Sequence, residues 1–196
     1  MTATQTQTAT PRYEQMLRDE VWPKVKEEFG FDNPMSLPRL DKIILNVGFG
    51  QHLENNKIKP EVRDTVLDSL STITGQKPIL IKAKKSVSNF KVREGAITAA
   101  MVTLRRDRMW HFFDRLVNLA IPRVKDFRGL SDKSFDHAGN YGFGFSEQAV
   151  WPEIDMGQVN VVHGMHINLV FRNSTPDISR FTLKELGWPF RRPEQD

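Results

Sequence analysis

Cysteine is absent from this chain, which excludes disulfides and thiolate-held zinc and is compatible with a reducing compartment. No stretch approaches the roughly 18 to 20 consecutive apolar residues of a membrane helix, which predicts a soluble protein with no membrane partner. The opening MTATQTQTAT holds neither the apolar core of a secretion signal nor the arginines of a transit peptide. Residues 1–12 are expected to be a disordered tail and 193–196 a second short tail. No internal repeat is visible. Acids are scarce in one region: from Lys77 to Arg128 there are 13 Lys and Arg against 4 acids, Glu94, Asp107, Asp114 and Asp126. The chain as a whole carries only +4, and the flanks 1–76 and 129–196 are each net acidic. A solvated face would mix the signs. Concentrated Lys and Arg with polar and aromatic residues between them are the electrostatic footprint of a phosphate-backbone binder.

The stretch from Lys77 to Arg108, KPILIKAKKSVSNFKVREGAITAAMVTLRRDR, is the centre of that block. Pro78 to Lys82 and Ile97 to Leu104 are rich in Ile, Leu, Val and Thr and predict two strands. Between them a polar, basic loop, 84–96, is expected to project from the sheet and to stay mobile until a partner orders it.

In chain order, Leu17, Val21, Val25 and Phe29 form one helical stripe, which Pro23 is expected to kink or shorten. Asn33-Pro34 and Leu37-Pro38 make a bend. Lys42 to Phe49 alternates as a strand with Ile43, Leu45, Val47 and Phe49 on a core face and Lys42, Asn46 and Gly48 on a polar one, interrupted by Ile44. Gln51 to Lys59 reads as a loop. Pro60 opens a helix whose stripe is Val62, Val66, Leu67, Leu70 and Ile73, with Gly75 just past its end. On the second basic-block strand Thr103 and Arg105 share a face, so Lys42, Asn46, Thr103 and Arg105 are expected to line one polar sheet surface. Met109 to Ala120 repeats at three and four as a helix that Pro122 ends or bends. Gly129 to Gly144 reads as a Gly-rich loop, Phe143 to Trp151 and Val159 to Phe171 as strands. Thr175 is expected as the N-cap of a last helix, with Pro176 first, Ile178, Phe181, Leu183 and Leu186 as its stripe and Gly187 closing it. The 196 residues suit one domain, 13–192, of α+β class: a mostly antiparallel sheet with helices on one face and the other face free for RNA.

No catalytic or metal motif stands out. GNYGFG from Gly139 has the wrong spacing for a phosphate loop and no helix pattern after it. His163 and His166 fall on opposite sides of a strand pattern without a third ligand, so no metal or other cofactor is expected. Glu147, Glu153 and Asp155 lack a nucleophile or metal beside them and read as solvated acids, so no small-molecule substrate is expected. Phe90, between Asn89 and Lys91, is either a small core plug or a ring that stacks on a base.

Several long segments, GQKPILIKAKKSVSNFKVREG, VTLRRDRMWHFFDRL, AIPRVKDFRGLSDKSFDHAGNYGFGFSEQAVWPEID and the terminal GWPFRR, together closely resemble the bacterial form of the universal large-subunit ribosomal protein five family, which binds 5S ribosomal RNA. The likeness runs from about Tyr13 to Arg192. It implies no enzyme but an α+β component of the large ribosomal subunit, cytoplasmic, that attaches 5S rRNA in the central protuberance, alongside large-subunit rRNA. It also implies contacts with P-site tRNA and a bridge to small-subunit ribosomal protein thirteen. Carried over, the rRNA-binding residues are Lys42, Asn46, Lys82, Lys84, Lys85, Phe90, Thr103 and Arg105. The tRNA-contacting loop contributes Ser86, Ser88, Asn89, Lys91 and Arg93, and the bridge Ser134, Asp136, His137 and Asn140. The chain departs from the family where Arg106 stands for a usual Gly and where DHAGN, with Ala138, stands for DGRGN. The competing classes are a free-standing RNA-binding or RNA-chaperone module and an enzyme acting on RNA. The missing acid-base constellation near the basic block speaks against the enzyme.

Overall fold

The computed structural model describes residues 10–50, 53–54, 57–90, 92–155, 157 and 161–191. Most of the expected N-terminal tail (1–9), Lys91, the beginning of the Val159–Phe171 strand, and residues 192–196 lie outside the described residues.

The chain opens with α1 (Arg12–Met16), which passes through a π-helical turn, Leu17–Val21, into α2 (Trp22–Phe29). Pro23 explains the turn. It has no N–H for the carbonyl four residues back, and its ring would strike that carbonyl, so the helix widens instead of breaking. A bend containing Asn33-Pro34 leads into β1 (Arg39–Gly48). The expected loop after it holds a two-residue-a-side hairpin, β2 (Leu53–Glu54) and β3 (Lys57–Ile58). Next comes α3 (Pro60–Thr74), bounded as the sequence predicts, with Gly75 left-handed at φ 63°. β4 (Ile79–Lys82) and β5 (Ile97–Leu104) flank the basic loop. α4 (Arg106–Arg115) starts three residues before the expected Met109 and runs into a second π turn, Leu116–Ala120, ahead of Pro122. The order closes with β6 (Tyr141–Phe145), β7 (Met165–Arg172) and α5 (Pro176–Glu185).

Five strands form one antiparallel sheet in the order β4-β5-β1-β7-β6. One face is the core: Ile43, Leu45, Leu104, Ile167 and Leu169 are fully buried there, with Leu70 and Ile73 of α3 and Phe112 and Phe113 of α4 in the same apolar cluster. The α+β expectation therefore holds, with the helices' apolar stripes gathered into the core on one face.

Two strand boundaries differ from the sequence reading. The strand expected over Phe143–Trp151 is β6, which ends at Phe145. Beyond it, buried Gln148 donates to the Val161 carbonyl (2.8 Å) and accepts from the His163 N–H (2.7 Å), so one side chain satisfies backbone groups that a ladder would otherwise pair. β7 starts at Met165, not near Val159. Thr175 has the extended backbone of an N-cap ahead of Pro176, but its hydroxyl makes no capping hydrogen bond.

Candidate nucleic-acid interface

The strands' pleat turns every second residue to the face opposite the core. Register fixes the resulting rows. Met101, Asn46, His166 and Gly144 lie opposite one another across β5, β1, β7 and β6; one step along lie Thr103, Ile44, Asn168 and Gly142. Lys42 pairs with Val170, and Arg105 continues the extended backbone of β5 (φ −141°, ψ 161°). Lys42, Asn46, Thr103 and Arg105 are therefore on one surface, as expected, with Arg105 exposed and the other three half-buried. The Asn46 Oδ1 atom is buried and has no hydrogen-bond partner among the described residues. Apolar side chains complete the surface: Ile44, Met101 and, on the edge strand, Ile79, which is 64% exposed.

The remaining expected RNA contacts are not beside these four. Lys82 lies opposite Ile97 at the far end of β5 from Arg105, and exposed Lys84 and Lys85 follow it. Eight strand steps separate Ile97 from Arg105, about 27 Å at strand rise. The candidate interface is thus two basic ends joined by a neutral floor. Lys82, Lys84, Lys85, Arg105, Arg106 and Arg108 are exposed and make no ion pair with any described residue. Arg115 behaves differently: it ion-pairs with Glu153 and donates to the Ile73 carbonyl at 2.7 Å, tying α4 to the end of α3.

The basic loop is a closed hairpin, not an open coil. Val87 and Val92 exchange backbone hydrogen bonds (2.9 and 3.2 Å), Ala83 donates to Ala96 (2.8 Å), and Gly95 (φ 81°) donates to Ala83 (3.0 Å). The Ser86 hydroxyl accepts from the Glu94 N–H (2.9 Å), so it works inside the hairpin. Ser88, Asn89 and Phe90 form a 3-10 turn at the tip, and Arg93 beside it is exposed. Phe90 is 76% exposed, which excludes the core-plug reading.

In the Gly-rich segment both oxygens of Asp136 are engaged: Oδ1 accepts from the Ala138 and Asn140 N–H groups (3.0 and 2.7 Å), Oδ2 from the Asn140 side chain (2.8 Å). Asn140 in turn accepts from the Phe171 N–H (3.0 Å), pinning the turn to β7. Partial burial pushes the Asp136 carboxyl up, but these hydrogen bonds and the neighbouring His137 outweigh it, and the net shift is downward. Ser134 is half-buried and its carbonyl accepts from Gly142; His137 is exposed. GNYGFG is structural: a Cβ on Gly139 (φ 75°) would sit 2.8 Å from the Thr175 backbone at the start of α5.

The other sequence candidates resolve similarly. Glu153 is held by Arg115, Asp155 accepts from the Gly157 N–H, and Glu147 is exposed. His163 is buried while His166 is exposed, as alternation requires. Among the described residues no group of three or more His, Cys, Asp or Glu is placed to hold a metal ion. The sequence reading missed His166, Asn168 and Arg172 as members of the open face; the alternation in MHINLVFR carried the signal.

Comparison with known proteins converges on one family. The profile for ribosomal protein L5 matches residues 33–93, and the profile for the C-terminus of the same ribosomal protein family matches residues 97–190. The chain is similar to large ribosomal subunit protein uL5 of Kocuria rhizophila, 46% identical over 93% of this chain and 94% of the relative. It is 48% identical to uL5 of an Anaeromyxobacter species over 92% of this chain and 96% of the relative. With uL5 of Chlorobium luteolum it shares 45% identity over 97% of this chain and 98% of the relative.

Proposed function

Because the chain belongs to the ribosomal protein L5 family, whose members are structural ribosomal proteins and not enzymes, we propose that it is a cytoplasmic constituent of the large ribosomal subunit. There it binds 5S rRNA through the open sheet face and attaches it to the subunit beside large-subunit rRNA. In the same proposal the 83–96 hairpin reaches P-site tRNA and the turn around His137 bridges to small-subunit ribosomal protein thirteen.

The observation that carries the RNA reading is the uncovered sheet face bordered at both ends by cations without carboxylate partners among the described residues. A protein that ion-paired those groups internally would gain nothing from phosphates; this one exposes them beside a polar floor. Phosphate contacts of this kind position the RNA, and groups on the floor between them meet sugars and bases.

The test is the affinity for 5S rRNA at increasing salt. Each phosphate contact adds about 0.7 to 0.9 to the slope of log affinity against log salt, so Arg105→Ala should lower both affinity and slope. An affinity indifferent to salt rules the reading out.

A further inference from the structure

On the open face the row Met101–Asn46–His166–Gly144 holds no lysine or arginine, yet it contains a buried polar atom without a partner among the described residues. Asn46 Oδ1 is an acceptor, buried and without a donor among the described residues. A phosphate oxygen cannot satisfy it, because it brings no hydrogen. A ribose hydroxyl or an exocyclic base amine can, once the half-buried Asn46 side chain turns its amide toward the open face.

Directly across the ladder from Asn46 stands His166. Its ring leans over the outermost strand: a Cβ on Gly144 would meet His166 Nδ1 at 3.3 Å. Beside it Asn168 lies in the same way over Gly142, where a Cβ would meet its Oδ1 at 2.8 Å. The two glycines let two flat side chains lie across the sheet edge with their outer surfaces exposed. Neither side chain hydrogen-bonds to a described residue. Of the charged groups on this face, Lys42 on β1, Arg105 after β5 and Arg172 on β7 lie toward the opposite end; Lys82 lies at this end but on β4, three strands away from β7, and β6 contributes none.

We infer that His166 is a nucleoside-contacting residue: its imidazole stacks on an RNA base while Asn46, facing it across the ladder, accepts from the same nucleotide's ribose or amine. This inference rests on the proposed RNA-binding face and divides it, with phosphates at the Lys42 and Arg105 end and one nucleoside at the glycine-paved edge. Asn168, on the adjacent row, bounds the nucleoside on the side toward Lys42.

Stacking and phosphate pairing separate in a salt titration, since only the latter releases counterions. The experiment measures binding of the full chain to 5S rRNA across a range of salt for wild type, Arg105→Ala, His166→Ala, His166→Phe and Asn46→Leu, with melting curves as the folding control. His166→Ala should lose about five- to 150-fold in affinity, the range of one base–aromatic stack, at an unchanged salt slope. His166→Phe should recover most of that loss, and Asn46→Leu should weaken binding with the slope intact. Wild-type affinity in His166→Ala, with Arg105→Ala still impaired, overturns this inference and leaves the RNA-binding face standing. A lower slope in His166→Ala makes His166 a phosphate contact and overturns it too. Absence of RNA binding by the wild type removes the proposed face itself, and this inference with it.

Discussion

Neighbouring residues at the end of β5 should have opposite phenotypes. Leu104 is fully buried, pairs with Ile43 across the β5–β1 ladder and belongs to the main core cluster. Truncation to Ala removes its packing and leaves a cavity between sheet and helices, at a cost of about 2 to 5 kcal/mol. For a chain of this size each kcal/mol moves the melting temperature by roughly 2 to 4 °C, so a loss of about 3 kcal/mol lowers it by about 6 to 12 °C. Arg105 is exposed on the opposite face and has no ion-pair partner among the described residues. Its replacement by Ala should change stability by no more than about 0.5 kcal/mol. It should instead lose a charge-assisted contact worth about 1.5 to 3 kcal/mol, roughly 10- to 150-fold in affinity for 5S rRNA. Urea melts and filter binding on the same preparations separate the two effects. Equal melting losses, or unchanged RNA affinity in Arg105→Ala, would refute the assignment of the two faces.

Replacing 88–93 by a short Gly-Ser link should leave folding and 5S rRNA affinity intact and weaken retention of P-site tRNA by assembled ribosomes; the reverse pattern would reassign the hairpin. Arg106, at φ 53°, holds a left-handed backbone that costs a non-glycine residue about 1 to 2 kcal/mol. Arg106→Gly should therefore raise the melting temperature even as it removes a cation, and a lower one would show that the side chain packs. Asp136 is held below the usual carboxylate range, so its contribution is present above that range and fades as pH falls through its folded value. Asp136→Asn should flatten that part of the acid limb in a pH titration of stability, and an unchanged limb would contradict its role in the turn. Tyr141, which burial raises to about 12, donates to the Ser131 carbonyl at 2.7 Å. Its contribution persists below the ordinary tyrosine range and is lost as pH rises toward the folded value. Tyr141→Phe should cost about 1 kcal/mol near neutral pH, and a neutral substitution would show that the bond adds nothing.

The elements legible in advance are those whose local signals agree. In α3 a proline at the first turn, an apolar stripe and a closing glycine all point to one helix. In β1 the alternation from Lys42 to Gly48 sets both faces, although a register shift between Leu40 and Lys42 lies outside any alternation rule. The stretch after Phe145 is apolar enough for a strand, yet Gln148 takes over the backbone bonding, a choice that depends on Val161 and His163 more than ten residues away. The hairpin at 83–96 is polar by composition but closed by Val87 and Val92, and two valines are a weak signal within a basic loop. At the candidate site, alternation correctly groups Lys42, Asn46, Thr103 and Arg105. In the sequence His166 reads only as a surface or packing histidine, because its place beside Asn46 is fixed by β7 pairing with β1, a contact more than a hundred residues apart in the chain.

Mapping of amide and side-chain NMR shifts during titration with 5S rRNA tests the central claim most directly. The account predicts that the largest changes fall on the open face, at Lys42, Asn46, Thr103, Arg105 and His166, and along the 83–96 hairpin, while α3 and α5 on the core side stay still. Changes concentrated on those two helices, with the open face silent, would contradict it.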